Sequence, residues 1–213
     1  MSQGHSTTRI PLVLATTNEG KIEEFRLLLK GFDVEVKGLR DFGPIPSIKE
    51  DGETFEENAV KKACFTAGIL GMPALADDSG LVVKALEGSP GVWSARYAGD
   101  GASDRENNQK LLREMEGVKD RDAYFMCVIA IAAPDGAFLV YKGSCDGVIT
   151  TELAGENGFG YDPLFYYSAL NKTFAEITRE EKNHISHRGK AMEALRSDFG
   201  QVMAWLRQRM ALR

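Results

Sequence analysis

Three helix-start signals, set among apolar runs, constrain this chain most, because they require helices and strands to alternate along it. Residues 54–57, 103–106 and 178–181 each place Ser or Thr three positions before Glu, which is the pattern of a capping box. Around them lie apolar runs typical of buried strands, above all residues 10–15 and the β-rich stretch 124–151. Strands and helices that mix throughout the chain predict an α/β fold.

The predicted helices follow capping residues and end at helix-stopping ones. The first begins after Asn18 and ends at Gly31, the second runs from Thr54 to about Leu70, and the third reaches about Met115. The apolar face of the last helix, which its spacing assigns to the core, consists of Ala191, Leu195, Phe199, Met203 and Leu206.

The predicted strands are shorter and are separated by turn residues. Val34 and Val36 alternate with charged residues and indicate a second strand after residues 10–15. Within residues 124–151, the pair Asp135-Gly136 predicts a hairpin turn between two apolar runs.

Length and composition favour one globular domain. The chain has 213 residues, of which 43% are hydrophobic and 27% charged, and no apolar run reaches the roughly 18 residues of a membrane span. Residues 1–9 lack the apolar core of a secretory signal and predict a disordered tail, followed by a single domain at residues 10–213. Three cysteines without Cys-x-x-Cys spacing predict reduced thiols, with Cys64 and Cys127 in the core, which suits the cytoplasm.

The charge and the histidine content limit the kinds of ligand that the chain is expected to bind. The net charge of −5 disfavours a nucleic-acid-binding role, and three histidines nearly exclude a His-rich zinc site, so a metal would be a hard cation on carboxylates. Residues 172–213 carry nine Lys/Arg and five Asp/Glu, so the rest of the chain is strongly acidic. Such a distribution suits a site for a metal and an anion, and its alternative is a solvated basic helix.

The first candidate site is residues 16–21, between the first strand and the first helix. Free N–H groups and the helix dipole favour anions there, and Lys21 adds a cation. The segment is not a Walker A loop, because Ile22 follows the lysine where Ser or Thr should stand. The alternative is an ordinary capped turn with a surface lysine.

The second candidate is Asp77-Asp78-Ser79-Gly80, after the apolar residues 72–76. Adjacent carboxylates are Mg²⁺ ligands when a phosphate substrate supplies further oxygens, although the same residues also form simple turns. In a strand, the two carboxylates point to opposite faces, so only one is expected to reach the metal.

The third and fourth candidates lie in the last third of the chain. Residues 155–163 carry three glycines and two aromatics, Phe159 and Tyr161, either of which is suited to stacking on a base; the alternative is a surface loop with aromatic plugs. Ser186 is expected to cap the final helix, which places His187 and Arg188 in its first turn. Basic residues there oppose the helix dipole unless an anion or acceptor compensates, which indicates function.

Six motifs follow one another along the chain: Thr16-x-Asn-x-x-Lys21, Thr54-Phe-Glu-Glu-Asn-Ala59, Ala76-Asp-Asp-Ser-Gly-Leu81, Pro90-Gly-Val-Trp-Ser-Ala-Arg-Tyr97, Gly158-Phe-Gly-Tyr-Asp-Pro163 and Ser186-His-Arg-Gly189. Together and in this order they closely resemble the inosine/xanthosine triphosphate pyrophosphatase family, whose members remove non-standard purine nucleotides. The resemblance runs from about residue 10 to about residue 207.

The resemblance implies an elongated mixed β-sheet flanked by helices, with two lobes and the active-site cleft between them, usually in a homodimer. It implies hydrolysis of dITP, ITP or XTP to the monophosphate and pyrophosphate, with Mg²⁺ assisting attack of water at the α-phosphorus. The partner would then be a small nucleotide, with neither nucleic acid nor a membrane involved.

Individual roles carry over from the matching motifs. The resemblance implies that the triphosphate is bound by Thr16, Thr17, Asn18, Glu19, Gly20 and Lys21. Thr17 stands where many family members have glycine, which stiffens the loop without removing a donor. Lys21 is also assigned a catalytic role at the leaving pyrophosphate.

The carboxylate roles follow the same resemblance. Asp78 is the implied metal ligand and presumed general base, Asp77 a supporting carboxylate and Ser79 a substrate contact. A further acidic residue before the second helix binds magnesium in relatives, and Glu50 fits that position, with Glu53 as the alternative.

The base site is implied to consist of Phe159, Gly160, Tyr161, Asp162, Lys182, His187 and Arg188. Donors in such a pocket match the O6 acceptor of hypoxanthine and xanthine and reject the amino group of adenine. Two other functions remain open at this point, a pyrophosphatase for modified pyrimidine nucleotides and a nucleotide-binding module without catalysis.

Overall fold

The computed structural model describes residues 9–46 and 48–211, so the tail predicted for residues 1–9 lies almost wholly outside the described residues. The α-helices in this part of the chain are α1 Glu19–Leu28, α2 Phe55–Leu70, α3 Asp104–Glu114, α4 Arg179–Ile185 and α5 His187–Ala211. The strands are β1 Ile10–Leu14, β2 Val34–Gly38, β3 Ala74–Val83, β4 Asp122–Ala132, β5 Phe138–Ile149, β6 Phe165–Tyr167 and β7 Lys172–Thr173. Short 3-10 helices span Leu39–Phe42, Lys84–Leu86, Gly91–Arg96 and Phe174–Glu176.

The described strands form one open sheet in the order β2-β1-β3-β4-β5-β6-β7. β1 is parallel to both β2 and β3, whereas the pairings from β3 onwards are antiparallel. This confirms the predicted α/β class with a mixed sheet. The long strand β3 carries the two adjacent carboxylates and pairs with β4, with Asp77 opposite Ile129 and Asp78 opposite Val128.

The two faces of the sheet are covered by different helices. On one face, Leu75 of β3 packs with α1 and with α5, where all five residues of the predicted apolar stripe are buried. On the other face, Ala74 and Ala76 pack against the alanines of α2. Because side chains alternate along a strand, Asp77 points toward α1 and α5, and Asp78 points toward α2.

A third hydrophobic cluster lies toward the far end of β3 and β4. It joins Leu81 and Phe125 to α3 through Leu111, and to Phe165 and Phe174. None of the described helices combines the length and apolar character that crossing a bilayer requires.

The predicted helix starts hold, with one correction. The capping boxes of α3 and α4 are complete. At α2, Thr54 accepts from the N–H of Glu57, but the Glu57 carboxylate accepts from the N–H of Glu53 instead of returning to Thr54. The box is therefore only half formed, because the extended backbone before the helix presents the Glu53 N–H within 2.7 Å of that carboxylate.

The helix and strand ends differ little from expectation. α1 ends at Leu28, before the predicted Gly31, because i→i+3 turns from Lys30 to Leu27 and from Phe32 to Leu29 replace the helical bonds. The hairpin turn at Asp135-Gly136 is confirmed, with Gly136 in a left-handed conformation at φ 87°.

The three cysteines are unpaired. Cys127 is buried as predicted, and Cys145 is buried as well, whereas Cys64 is only half-buried, because it faces the β4–β5 turn at Gly136.

Candidate active site

The two adjacent aspartates of β3 face different surroundings. On the side of α1, Asp77 forms an ion pair with Lys21 at 2.7 Å. On the side of α2, Asp78 lies 3.6 Å from the ammonium of Lys62. The alternation expected for a strand is therefore seen directly in the partners of the two carboxylates.

Asp77 is buried and remains charged. Burial alone would raise the pKa of Asp77, but the positive charges of Lys21 and Arg188, with a smaller contribution from Lys62, outweigh it and hold that pKa below its ordinary value of 3.8. Asp77 thus fixes the Lys21 ammonium beside the start of α1.

Asp78 has the opposite balance. Burial raises the pKa of Asp78 above 3.8, the charge of Lys62 opposes the shift, and the neighbouring Glu50 carboxylate adds to it. Its Oδ2 atom is buried without a hydrogen-bond partner among the described residues. This carboxylate has a free oxygen and a second carboxylate nearby.

Lys62 is a residue that sequence reasoning missed. Its Nζ donates to the main-chain oxygen of Asp77 at 2.9 Å and lies 3.4 Å from the carboxylate of Glu50. It shares a helix face with Asn58 and Thr66, both buried, so polar residues at i, i+4 and i+8 on the buried face of α2 were the available signal.

The carboxylates around Lys62 fit a hard divalent cation. Asp78 and Glu50 converge on one ammonium, which shows that their oxygens face a common point, and the orphaned Oδ2 of Asp78 is a free ligand atom. No group of three His, Cys, Asp or Glu ligands occurs among residues 9–46 and 48–211. Two carboxylates suit Mg²⁺, which keeps waters and takes substrate oxygens for its other positions.

Glu53, the alternative to Glu50, is placed differently. Its N–H donates to Glu57 at the start of α2, whereas the main-chain oxygen of Glu50 accepts from Arg96 at 3.0 Å. The bond from Arg96 anchors Glu50 next to Lys62, so the geometry favours Glu50.

The segment from Thr16 to Lys21 forms a capped helix start. The Asn18 side chain accepts from the N–H of Lys21 at 3.2 Å, and the Thr16 hydroxyl accepts from the N–H of Asn18 at 3.1 Å. A Cβ on Gly20 would lie 3.2 Å from the Asn18 side chain, so glycine leaves room for this cap. Glu19 turns aside to an exposed pair with Arg40.

Two further residues predicted to contact the substrate are Thr17 and Ser79. Thr17 is exposed beside Asn18 at the helix start. Ser79 is half-buried on β3, two residues beyond Asp77 and therefore on the same face as Asp77.

Residues 155–163, the aromatic loop, place their two aromatic rings in different surroundings. The Phe159 side chain is 69% exposed, whereas Tyr161 is buried and donates from its hydroxyl to the main-chain oxygen of Ser94 at 2.8 Å. Of the two residues expected to be suited to stacking, only Phe159 presents a ring to solvent. Tyr161 instead ties the loop to the 3-10 helix Gly91–Arg96.

Asp162 and Lys182 hold this loop from within. Asp162 is buried, accepts from the N–H of Phe159 at 2.9 Å and pairs with Lys182. The Lys182 ammonium lies 4.7 Å from the centre of the Phe159 ring, a cation–π arrangement. Asp162 is therefore committed to internal bonds, and Phe159 and Lys182 present the loop's outward chemistry.

His187 and Arg188 occupy the first turn of α5, which Ser186 caps as predicted by accepting from the N–H of Gly189 at 3.1 Å. His187 is buried and stacks on Phe125 at 4.7 Å. Burial, with help from the charges of Lys182 and Arg188, lowers the pKa of His187 from 6.5 to about 3, so the ring is neutral. It offers a donor and an acceptor without a charge.

Arg188 connects the start of α5 to α1. One guanidinium nitrogen lies 3.0 Å from the carboxylate of Glu24, and the same charge acts on Asp77. The predicted residues thus form three groups: Lys21 with Asp77 and Arg188, Asp78 with Glu50 around Lys62, and Phe159 with Lys182 and Asp162.

Comparison with known proteins finds similar sequences over most of the chain. The model of the Ham1 family matches residues 12–198. The dITP/XTP pyrophosphatase of Desulfotalea psychrophila is 56% identical over 200 residues, which cover 94% of this chain and 90% of that protein. The dITP/XTP pyrophosphatase of Geobacter sulfurreducens is 51% identical over 191 residues, 89% of this chain and 96% of that protein.

Solved structures of Ham1 proteins have the same fold. The Ham1 protein of Staphylococcus aureus superposes with a TM-score of 0.86 at 43% identity, covering 90% of this chain and 99% of that one. A HAM1 protein from Coxiella burnetii gives a TM-score of 0.87 at 44% identity, with the same coverage.

Proposed function

This chain belongs to the Ham1 family, and from that premise we propose that it is a house-cleaning hydrolase that converts dITP, ITP and XTP to the monophosphate and pyrophosphate. One observation carries the proposal: Lys62 lies between the carboxylates of Asp78 and Glu50, beside the Lys21–Asp77 pair. This places anion-binding and cation-binding groups next to one another, as hydrolysis of a metal–triphosphate requires. The relatives named dITP/XTP pyrophosphatase, at 51–56% identity, support the substrate class.

The start of α1 would bind the triphosphate. Free N–H groups at the helix start and the Lys21 ammonium together favour phosphate oxygens. Because Asp77 holds Lys21 in place, the cation needs little reordering when charge grows on the leaving pyrophosphate.

Asp78 and Glu50 would hold Mg²⁺. When bound, the ion supplies charge neutralisation at the phosphate oxygens and lowers the pKa of a coordinated water. The charge of Lys62 compensates the charges of the two carboxylates. Asp78 would act as a metal ligand in preference to a general base, because a carboxylate held tightly by a metal is a poor proton acceptor.

The base would lie between Phe159 and the start of α5. Stacking on the exposed Phe159 ring holds any purine, so selectivity has to come from donors at its edge. The neutral His187 and the Arg188 guanidinium are such donors, and they match the O6 of hypoxanthine and xanthine better than the amino group of adenine.

The remaining expectations complete the proposal. We expect a homodimer in the cytoplasm that acts on free nucleotides and binds neither nucleic acid nor a membrane. The three unpaired cysteines suit a reducing compartment, and the net charge of −5 disfavours a phosphate-backbone partner.

The test is pyrophosphate release from dITP, ITP, XTP, GTP, ATP and dUTP, with Mg²⁺ and again with EDTA. Metal-dependent release confined mainly to dITP, ITP and XTP is the expected result. Release mainly from dUTP would indicate a pyrimidine house-cleaning enzyme instead. ITP binding without any release would indicate a binding module and overturn the enzymatic proposal.

A further inference from the structure

The Phe159 ring is largely exposed and is not packed into the hydrophobic core. That side chain is 69% exposed, and the loop beside it borders an open cavity of about 250 Å³. An exposed ring on a loop would rotate with its backbone unless the backbone is held by hydrogen bonds. The position of the ring therefore depends on the contacts of the neighbouring peptide groups, together with the Phe159 N–H bond to Asp162 and the Lys182 ammonium 4.7 Å from the ring centre.

Both polar groups of Gly160 are bonded to α3. The Gly160 N–H donates to the carboxylate of Asp104 at 2.6 Å, and the Gly160 oxygen accepts from the side-chain amide of Asn108 at 2.8 Å. Asp104 and Asn108 stand one helical turn apart, so they reach the same peptide from one helix face. The glycine is clamped from both sides of its backbone.

The Asn108 amide nitrogen faces two acceptors. It donates to two main-chain oxygens, those of Gly160 and of Asp104 at 2.9 Å, and neither oxygen can donate in return. Asn108 is 4% exposed, so water competes little for these bonds. A buried, doubly bonded amide is a rigid support for the loop.

The adjacent Asn107 contacts a different segment of the chain. It is similarly buried, at 3% exposure, but its side chain bonds the end of the 3-10 helix Gly91–Arg96 and the residues after it, donating to the oxygen of Ala95 at 3.2 Å and accepting from the N–H of Ala98 at 2.8 Å. The side chains of two neighbouring asparagines on α3 thus make two hydrogen bonds each, but only Asn108 reaches Gly160, and its second bond stays within α3.

We propose that Asp104 and Asn108 are positioning residues that orient the Phe159 ring for the purine, an inference that rests on the proposed function. Neither residue belongs to the phosphate or carboxylate groups around Lys21 and Lys62. Loss of the clamp should therefore weaken binding of the base and leave binding of the pyrophosphate end unchanged.

The experiment measures product inhibition of ITP hydrolysis by IMP and by pyrophosphate. IMP carries the base, and pyrophosphate does not, so each variant contains its own internal control. For Asn108→Ala we expect the IMP inhibition constant to rise by about tenfold, the size of effect that one lost buried hydrogen bond allows, with the pyrophosphate constant unchanged. The KM for ITP should rise more than kcat falls.

Asp104 provides a second pair of variants that does not depend on a buried site. Asp104→Ala removes the acceptor for the Gly160 N–H and should raise the IMP constant, whereas Asp104→Asn keeps an acceptor oxygen and should restore it. Both changes remove the same charge from the first turn of α3, so the difference between them reports the hydrogen bond.

Asn107→Ala is the matched control for stability. It removes two hydrogen bonds from the same helix, so we expect a similar loss of melting temperature without the selective rise in the IMP constant. A wild-type chain that is active, with variants in which the IMP and pyrophosphate constants change together or not at all, would overturn this inference alone. A wild type that neither hydrolyses ITP nor binds IMP would overturn the proposed function and the inference with it.

Discussion

Asp77 and Asp78 are neighbours on one strand, yet their surroundings assign them different chemistry. Asp77 faces α1, where Lys21 and Arg188 overcome the effect of burial and lower its pKa. Asp78 faces α2, where burial outweighs Lys62 and raises its pKa, and one of its oxygens has no partner among the described residues. The difference teaches that strand alternation alone can separate a carboxylate that holds a lysine from one that is free to take a metal.

The largest effect is expected from Asp78→Asn. Pyrophosphate release from ITP should fall by about a thousandfold or more, because the amide is a far weaker Mg²⁺ ligand than the carboxylate. Circular dichroism should show an intact fold. Normal turnover in this variant would remove Asp78 from the metal site and end the contrast with Asp77.

Asp77→Asn should act mainly on stability. It leaves the Lys21 ammonium, whose side chain is 29% exposed, without its partner, and breaking such a partly buried pair costs about 2 kcal/mol of unfolding free energy, between the values for exposed and for buried pairs. Urea unfolding measures the loss, and the double variant with Lys21→Met should recover part of it. If Asp77→Asn were as stable as wild type, the ion pair would not be the reason for the lowered pKa of Asp77.

Arg188→Ala tests whether the guanidinium contacts the purine base or only supports Asp77 and Glu24. If Arg188 reads the base, the ratio of ITP to ATP hydrolysis should fall by about tenfold, the usual cost of one lost specific hydrogen bond. A ratio that stays unchanged while stability falls would assign Arg188 to Asp77 and Glu24 only.

The smallest effect concerns stability against pH, measured in EDTA. The raised pKa of Asp78 means that its neutral form is favoured in the folded state, so its contribution is complete below the unfolded pKa of 3.8 and is lost as pH rises through the folded value. Asp78→Asn should therefore raise the melting temperature near neutral pH, and the gain should vanish in acid.

Asp77→Asn should show the opposite dependence. Its lowered pKa contributes stability above 3.8 that is lost as pH falls through the folded value. The penalty of this variant should shrink in acid, and melting curves that moved in parallel for the two variants would contradict the assignment of opposite environments.

The sequence predicted the features that depend on local pattern. The helix starts at Ser103 and Thr178, the buried stripe on α5 and the opposite orientation of Asp77 and Asp78 all follow from caps or periodicity. The prediction of a complete capping box at Thr54 was wrong in one bond, because the Glu57 carboxylate accepts from the N–H of Glu53, which lies outside the motif.

The features that sequence reasoning missed depend on contacts between distant segments. Lys62 becomes a site residue only because α2 packs over β3, and Asn108 only because α3 lies against the aromatic loop. The choice between Phe159 and Tyr161 could not be made from the sequence either, because a loop has no periodicity to assign inside and outside. Tyr161 is buried because Ser94 offers its hydroxyl an acceptor.

The most direct test of the account is Mn²⁺ binding to the nucleotide-free chain, followed by paramagnetic relaxation of water protons, for wild type, Asp78→Asn and Asp77→Asn. The account predicts that Asp78→Asn loses the tight site, whereas Asp77→Asn retains it with nearly unchanged affinity. Equal loss in both variants, or loss only in Asp77→Asn, would contradict the division of roles between the two carboxylates.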